Sequence, residues 1–174
     1  MIFSLIGLPG CGKSTVGRQL ARRLQVPFFD SDQEIEHDID CSIRTFFEME
    51  GEERFRDLEE SAIDRLTQQA SGVLSTGGGA VLRPANRRYL RERGQVVYLN
   101  AAPDALFRRL RHDQSRPMLQ VADPQRRLRE LHKQRDPLYR QTAHFVVDTG
   151  RPSVNTLVNM IVMQLELAGK LNAS

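Results

Sequence analysis

The run Gly7-Leu8-Pro9-Gly10-Cys11-Gly12-Lys13-Ser14 fits the pattern of a glycine, four residues, then Gly-Lys-Ser without a mismatch. The chemistry of that pattern is phosphate binding. Glycines let the backbone turn sharply, so that successive N–H groups face inward on an anion. A helix starting there adds the positive end of its dipole. Lys13 can then reach the β- and γ-phosphates of a nucleoside triphosphate, and the Ser14 hydroxyl can ligate magnesium. Gly10, Cys11, Gly12, Lys13, Ser14 and Thr15 are the candidate nucleotide contacts.

Phosphoryl transfer also needs an oriented acceptor hydroxyl and neutralised phosphate oxygens. Asp30-Ser31-Asp32 offers two carboxylates, one for a water on magnesium and one for the acceptor's hydroxyl proton. The same residues equally suit the cap of a following helix. Gly77, Gly78 and Gly79 after Thr76 remove side chains where a ligand can lie against the backbone, and read as well as a loose turn. Arg56 and Arg135 could clamp a carboxylate between them, although either alone suits a solvated surface. Arg116 could stabilise the transferring phosphate. Arg151 could lie against an adenine ring.

Strand-like and helix-like runs alternate, so the elements that position these groups form an α/β fold, a parallel sheet with helices on both faces. The expected strands are Ile2–Ile6, Pro27–Asp30, Val73–Ser75, Gln95–Leu99 and His144–Val147. Val16, Leu20 and Leu24 recur on one face of a helix after the first strand. A second helix spans roughly 52–69, with Phe55, Leu58, Ala62 and Leu66 on one side. Pro84 and Pro103 open two more, in the first-turn position where proline costs little. Ser153 caps a last helix whose apolar face is Val154, Leu157, Val158, Ile161, Val162 and Leu165. The segment 111–123 has no clear period and reads as a lid or a surface loop, and a further helix starts near Pro124. In such sheets ligands bind beyond the carboxyl ends of the strands, where nearly all these motifs fall.

The chain of 174 residues is one domain's worth, 1–174, and can bury roughly 70% of its unfolded surface. No apolar run approaches a membrane span and no leader pattern opens the chain, so a cytoplasmic protein without membrane contact is expected. Cys11 and Cys41 form no metal or disulfide pattern. Of 25 basic residues only three are lysines, Lys13, Lys133 and Lys170. With no Trp, no basic tail and no basic stripe, the net charge of +3 suits small anionic ligands better than nucleic acid. No heptad seam is left over, which favours a monomer.

Taken in order, GLPGCGKST at 7–15, DSD at 30–32, FFEMEGEERFRDLE at 46–59, STGGGAV at 75–81, SRPM at 115–118 and RDPLY at 135–139 resemble the shikimate kinase family of nucleoside-monophosphate-kinase-like phosphate-loop proteins. The resemblance covers almost the full chain. It implies a three-layer α/β/α fold with a five-stranded parallel sheet, a lid at about 111–123 and substrate-binding helices at about 32–70. It implies transfer of phosphate from ATP, with one Mg²⁺, to the 3-hydroxyl of shikimate. By the resemblance Asp30 and Ser14 hold magnesium, Asp32 contacts the acceptor hydroxyl, and Arg56 and Arg135 bind the carboxylate. Gly77, Gly78 and Gly79 line that site, Arg116 reaches the phosphates, and Arg108 and Arg151 contact the nucleotide. Phe47 and Phe55 lie beside the shikimate ring, and Glu59 supports the substrate arginine. Two positions depart from the family's habit, Cys11 in the loop and Met118 in place of leucine. The rival readings are another small-molecule kinase, such as a gluconate kinase, and a non-catalytic nucleotide switch. The set Arg56, Gly77–Gly79 and Arg135 separates the first, and the lack of an Asn-Lys-x-Asp stretch argues against a GTPase form of the second.

Overall fold

Five strands run parallel in the order β2-β3-β1-β4-β5: β1 Ile2–Ile6, β2 Phe28–Asp30, β3 Gly72–Ser75, β4 Gly94–Asn100 and β5 Phe145–Asp148. The structure, a computed structural model, describes residues 1–110, 121–150 and 153–171. The three inner strands are nearly continuous apolar runs because both of their faces are covered. Helix α1 (Lys13–Leu24) and the last helix, α8 (Val154–Leu167), pack together on one face. Helices α4 (Glu52–Leu66), α5 (Pro84–Glu92) and α7 (Pro124–Thr142) cover the other. Right-handed crossovers require this split, since the chain moves one way from β1 to β2 and the opposite way from β2 through β5. The reversal leaves a crevice at the carboxyl end of β1.

The helix starts follow their cap chemistry. The Ser153 hydroxyl accepts from the Thr156 N–H, and Pro84, Pro103 and Pro124 each stand in a first turn. Helix α6 is Pro103–Leu110. Helix α4 stops at Leu66, three residues short of expectation, where the Thr67 hydroxyl takes the Ile63 carbonyl at 2.7 Å and closes the turn. Between β2 and α4 lie two short helices, α2 (Ser31–Ile39) and α3 (Ile43–Glu50). Ile35, Phe55 and Ala62 form a small core there, with Phe46, Phe47 and Leu58 packed against it, separate from the main core around the sheet. The substrate-helix expectation at 32–70 thus falls on a unit with its own apolar centre. Most of the lid segment falls outside the described residues, which resume at Val121. No helix among the described residues is long and apolar enough to cross a membrane.

At the β4–β5 edge the Val96 N–H donates to His144 Nδ1 at 3.0 Å, and only the neutral imidazole can accept it. Burial first, then the charges of Arg91 and Lys170, hold the His144 pKa below its ordinary value. Below about pH 6.5 the unfolded chain binds a proton that the folded chain refuses, so this contribution to stability is lost as pH falls through the folded pKa. The melting temperature is expected to drop between pH 7 and 5, and less so in His144→Asn, whose amide oxygen accepts without titrating. Identical pH slopes for the two proteins, read by thermal melts, would remove His144 from the acid response.

Candidate active site

The loop after β1 turns through Gly10 (φ 82) and Gly12 (φ 94), left-handed conformations that a side chain would strain. Gly12 caps α1, so the first N–H groups of that helix face the crevice. Lys13 is buried at the helix start, its Nζ donating to the carbonyls of Gly7 at 2.6 Å and Leu8 at 3.0 Å and lying 3.7 Å from Cys11 Sγ. The ammonium is thereby held across the loop rather than out in solvent.

The Asp30 carboxylate divides its two oxygens between a helix cap and the phosphate loop. Its Oδ1 accepts from the Asp32 and Gln33 N–H groups and caps α2, while its Oδ2 accepts from Ser14 Oγ at 2.8 Å. The register that pairs Asp30 with Ser75 also brings the Ser75 hydroxyl to 3.3 Å from Ser14 Oγ. Three side-chain oxygens therefore meet beside the loop. They open on a cleft of about 250 Å³, lined also by Lys13, Asp32 and Gly78.

Each of the three glycines after β3 faces a different charged group. A methyl added at Gly77 would lie 2.7 Å from Asp32 Oδ1 and 3.0 Å from Glu59 Oε2. At Gly78 it would meet Pro9 Cδ at 2.8 Å and lie 3.5 Å from Arg135 Nη1. At Gly79 it would fall on the Arg56 guanidinium. Gly77 is tied back through its N–H to Ser31 Oγ at 3.2 Å.

Arg56, 6% exposed, donates to Glu59 Oε1 at 2.9 Å and to Glu52 Oε1 at 3.1 Å, and lies 5.3 Å over the Phe55 ring. Burial raises the Glu59 pKa, against the opposing pull of Arg56. Arg135, 3% exposed, has its pKa lowered by burial, with the charges of Arg56 and Arg127 adding to the effect. Two guanidinium groups are thus buried close together behind the glycines. Phe47 and Phe55 stack at 5.0 Å beside them.

Lys13, Ser14, Asp30, Asp32 and Gly78 come together in one cleft, with Arg56 and Arg135 just behind it. Arg108 is exposed on α6, close in charge to Asp104, and the side chain that reaches the loop is its neighbour Arg109, which donates to the Gly10 carbonyl at 3.1 Å. Only the rotation of α6 separates those two adjacent arginines. Arg116 and Arg151 lie outside the described residues. Ser75, Glu52 and Arg109 were not singled out from the sequence. Glu52 alone carried a local signal, its four-residue spacing from Arg56 on one helix.

A phosphate loop at the switch point of a parallel sheet, with carboxylates facing it and a buried cationic subsite alongside, defines the class of phosphate-loop kinases for small molecules. The family model for shikimate kinase matches residues 9–166. A shikimate kinase from Paracidovorax citrulli is 62% identical over 168 residues, 95% of this chain and 92% of its own length. One from Ralstonia nicotianae is 58% identical over 164 residues, covering 94% and 86%. The solved structure of a shikimate kinase from Acinetobacter baumannii in complex with shikimate superposes with a TM-score of 0.93 at 44% identity, covering 98% of this chain and 95% of that one. The chain belongs to the shikimate kinase family, and is a transferase that uses ATP as phosphate donor.

Proposed function

We propose that the chain transfers the γ-phosphoryl group of ATP to the 3-hydroxyl of shikimate, giving shikimate 3-phosphate and ADP. The buried pair Arg56 and Arg135 carries this reading. Burial and the nearness of Arg56 both work against the charge on Arg135, and a substrate carboxylate placed between the two relieves both. A gluconate carboxylate would meet the same charges, but the glycines and the Phe47–Phe55 stack favour a ring laid flat against the backbone.

The donor set beside the loop fits magnesium. Ser14 Oγ, Asp30 Oδ2 and Ser75 Oγ are hard oxygen ligands, and no cluster of three or more His, Cys, Asp or Glu among the described residues makes a self-sufficient metal site. Magnesium that arrives with phosphates needs only one or two protein oxygens. Ser14 would hold it directly and Asp30 through water, and when bound it supplies Lewis-acid neutralisation of phosphate charge. The Lys13 ammonium, turned across the loop, balances charge on the β- and γ-oxygens. The loop amides from Gly10 to Thr15 hold the phosphates. Asp32 orients the acceptor hydroxyl and is the carboxylate placed to take its proton, two roles that Asp32→Asn separates. Arg116, in a lid at about 111–123, approaches the transferring phosphate, while Arg108 and Arg151 serve the nucleotide.

The working unit is a monomer built as a single domain, since the sequence leaves no heptad seam over once the core is built. It acts on small molecules, not on nucleic acid, in the cytoplasm, where ATP is supplied.

The test is ADP release with Mg·ATP and shikimate, gluconate, AMP, the carboxamide of shikimate or no acceptor. Turnover is expected with shikimate alone, and the carboxamide should lose at least about a hundredfold in kcat/KM because it offers two guanidinium groups one neutral acceptor in place of two charged ones. Equal turnover with gluconate, or release indifferent to acceptor, would overturn the proposal.

A further inference from the structure

We infer that Tyr139 is a positioning residue of the acceptor site, its hydroxyl tying the helix that carries Arg135 to the Gly78 carbonyl and so fixing where the carboxylate clamp stands against the glycine loop. This rests on the reading of Arg135 as a carboxylate ligand. Tyr139 lies one turn beyond Arg135 on α7 and is fully buried. Its hydroxyl donates to the Gly78 carbonyl at 2.5 Å. Arg135 Nη1 stands beside the same glycine, 3.5 Å from where a methyl on Gly78 would lie. One phenol thus ties the helix that carries Arg135 to the loop that Arg135 faces.

That bond constrains what the substrate meets. The carbonyl of Gly78 and the N–H of Gly79 belong to one planar peptide and point opposite ways. Drawing the carbonyl inward to Tyr139 therefore sets the other edge of that peptide, beside Arg56. Arg135 leaves the same helix one turn before Tyr139, so the anchor also sets how far its guanidinium stands from the loop. The ring itself is held from behind. Tyr98 stacks on it at 4.8 Å, and the Tyr98 hydroxyl donates to Asp136 at 2.8 Å. Ring packing can account for a buried aromatic residue here. It does not account for a hydroxyl whose partner is the backbone of the acceptor site.

The experiment is Tyr139→Phe, which keeps the ring and removes only the hydroxyl, assayed beside Arg135→Lys. The shikimate KM is expected to rise roughly tenfold, with kcat within about threefold, since a buried hydrogen bond that places the clamp is lost. The ATP KM and the melting temperature stay near those of the parent. An unchanged shikimate KM, or an equal loss in both substrates together with a lower melting temperature, would overturn the inference, the second outcome marking a role in packing alone. If Arg135→Lys itself leaves the shikimate KM unchanged, it is the clamp reading that fails. If Arg135→Lys raises that KM and Tyr139→Phe does not, only the inference about Tyr139 fails. Should the phenylalanine variant not fold, 3-fluorotyrosine at position 139 nearly keeps the shape and changes the strength with which the phenol donates to Gly78. A selective change in the shikimate KM then supports the role, and no change overturns it.

Discussion

Asp32→Ala is expected to lower turnover about a thousandfold while ATP binding stays near normal. Asp32 is the second residue of α2, and the Asp30 carboxylate holds its backbone N–H at 3.0 Å. Its own carboxylate lies against the open side of Gly77, on the far side of the cleft from the helix that carries Lys13 and Ser14. Truncating it leaves the loop from Gly10 to Thr15 and the Asp30–Ser14 bond in place, which is why nucleotide affinity should survive. The cost to stability is small, about 0.3–1 kcal/mol for one acidic group in a helix's first turn. Asp32→Asn separates two roles. An amide oxygen can still accept a hydrogen bond and orient the hydroxyl, but it does not take the proton. If Asn falls as far as Ala, proton acceptance carries the effect, and partial activity assigns the residue to orientation. Near-parent turnover in the alanine variant, with ATP binding checked by calorimetry, would remove Asp32 from the chemistry.

The sequence made the phosphate loop plain because that site is contiguous: strand, glycines, lysine and helix start follow one another without a gap. The five parallel strands were legible for a related reason, since buried strands write themselves as apolar runs. Their ends were less so. β4 extends to Asn100 because the Asn100 carbonyl accepts from the Thr149 N–H, a partner 49 residues away. What depends on rotation or register stayed hidden. Whether Arg108 or Arg109 reaches the loop is decided by the turn of α6, and the meeting of Ser75 with Ser14 by the pairing of β2 with β3. For Asp30 the cap does not compete with the cleft, because a carboxylate has two oxygens: one caps α2 and the other meets Ser14 Oγ. Pro137 reads as a helix breaker, yet α7 runs through it to Thr142. That continuity is what places Arg135 and Tyr139 on successive turns. Without it RDPLY shows an arginine and a tyrosine, but no relation between them.

Gly79→Ala should raise the shikimate KM about a hundredfold with little change in fold stability, since a misplacement on the order of 1 Å costs that much. The backbone at Gly79, φ −95 and ψ 6, is open to alanine, so the substitution brings no strain of its own. Its methyl falls on the guanidinium end of Arg56, which is flexible and can yield without unfolding anything. It cannot yield and keep its aim. The guanidinium is pinned by Glu59 at 2.9 Å and Glu52 at 3.1 Å, and a shift breaks the geometry those carboxylates impose. ATP should bind as before, because the nucleotide loop is not touched. Gly77→Ala makes the contrasting case: its methyl meets Asp32 instead, so the loss should appear in kcat. The decisive measurement is the double variant. If the methyl acts only through the guanidinium, Gly79→Ala costs nothing further once Arg56 is alanine, and the two effects are far from additive. Additive losses would mean that the methyl disturbs the site by another route. Gly79 would then be needed for the approach of the substrate to the backbone and not for the placement of Arg56.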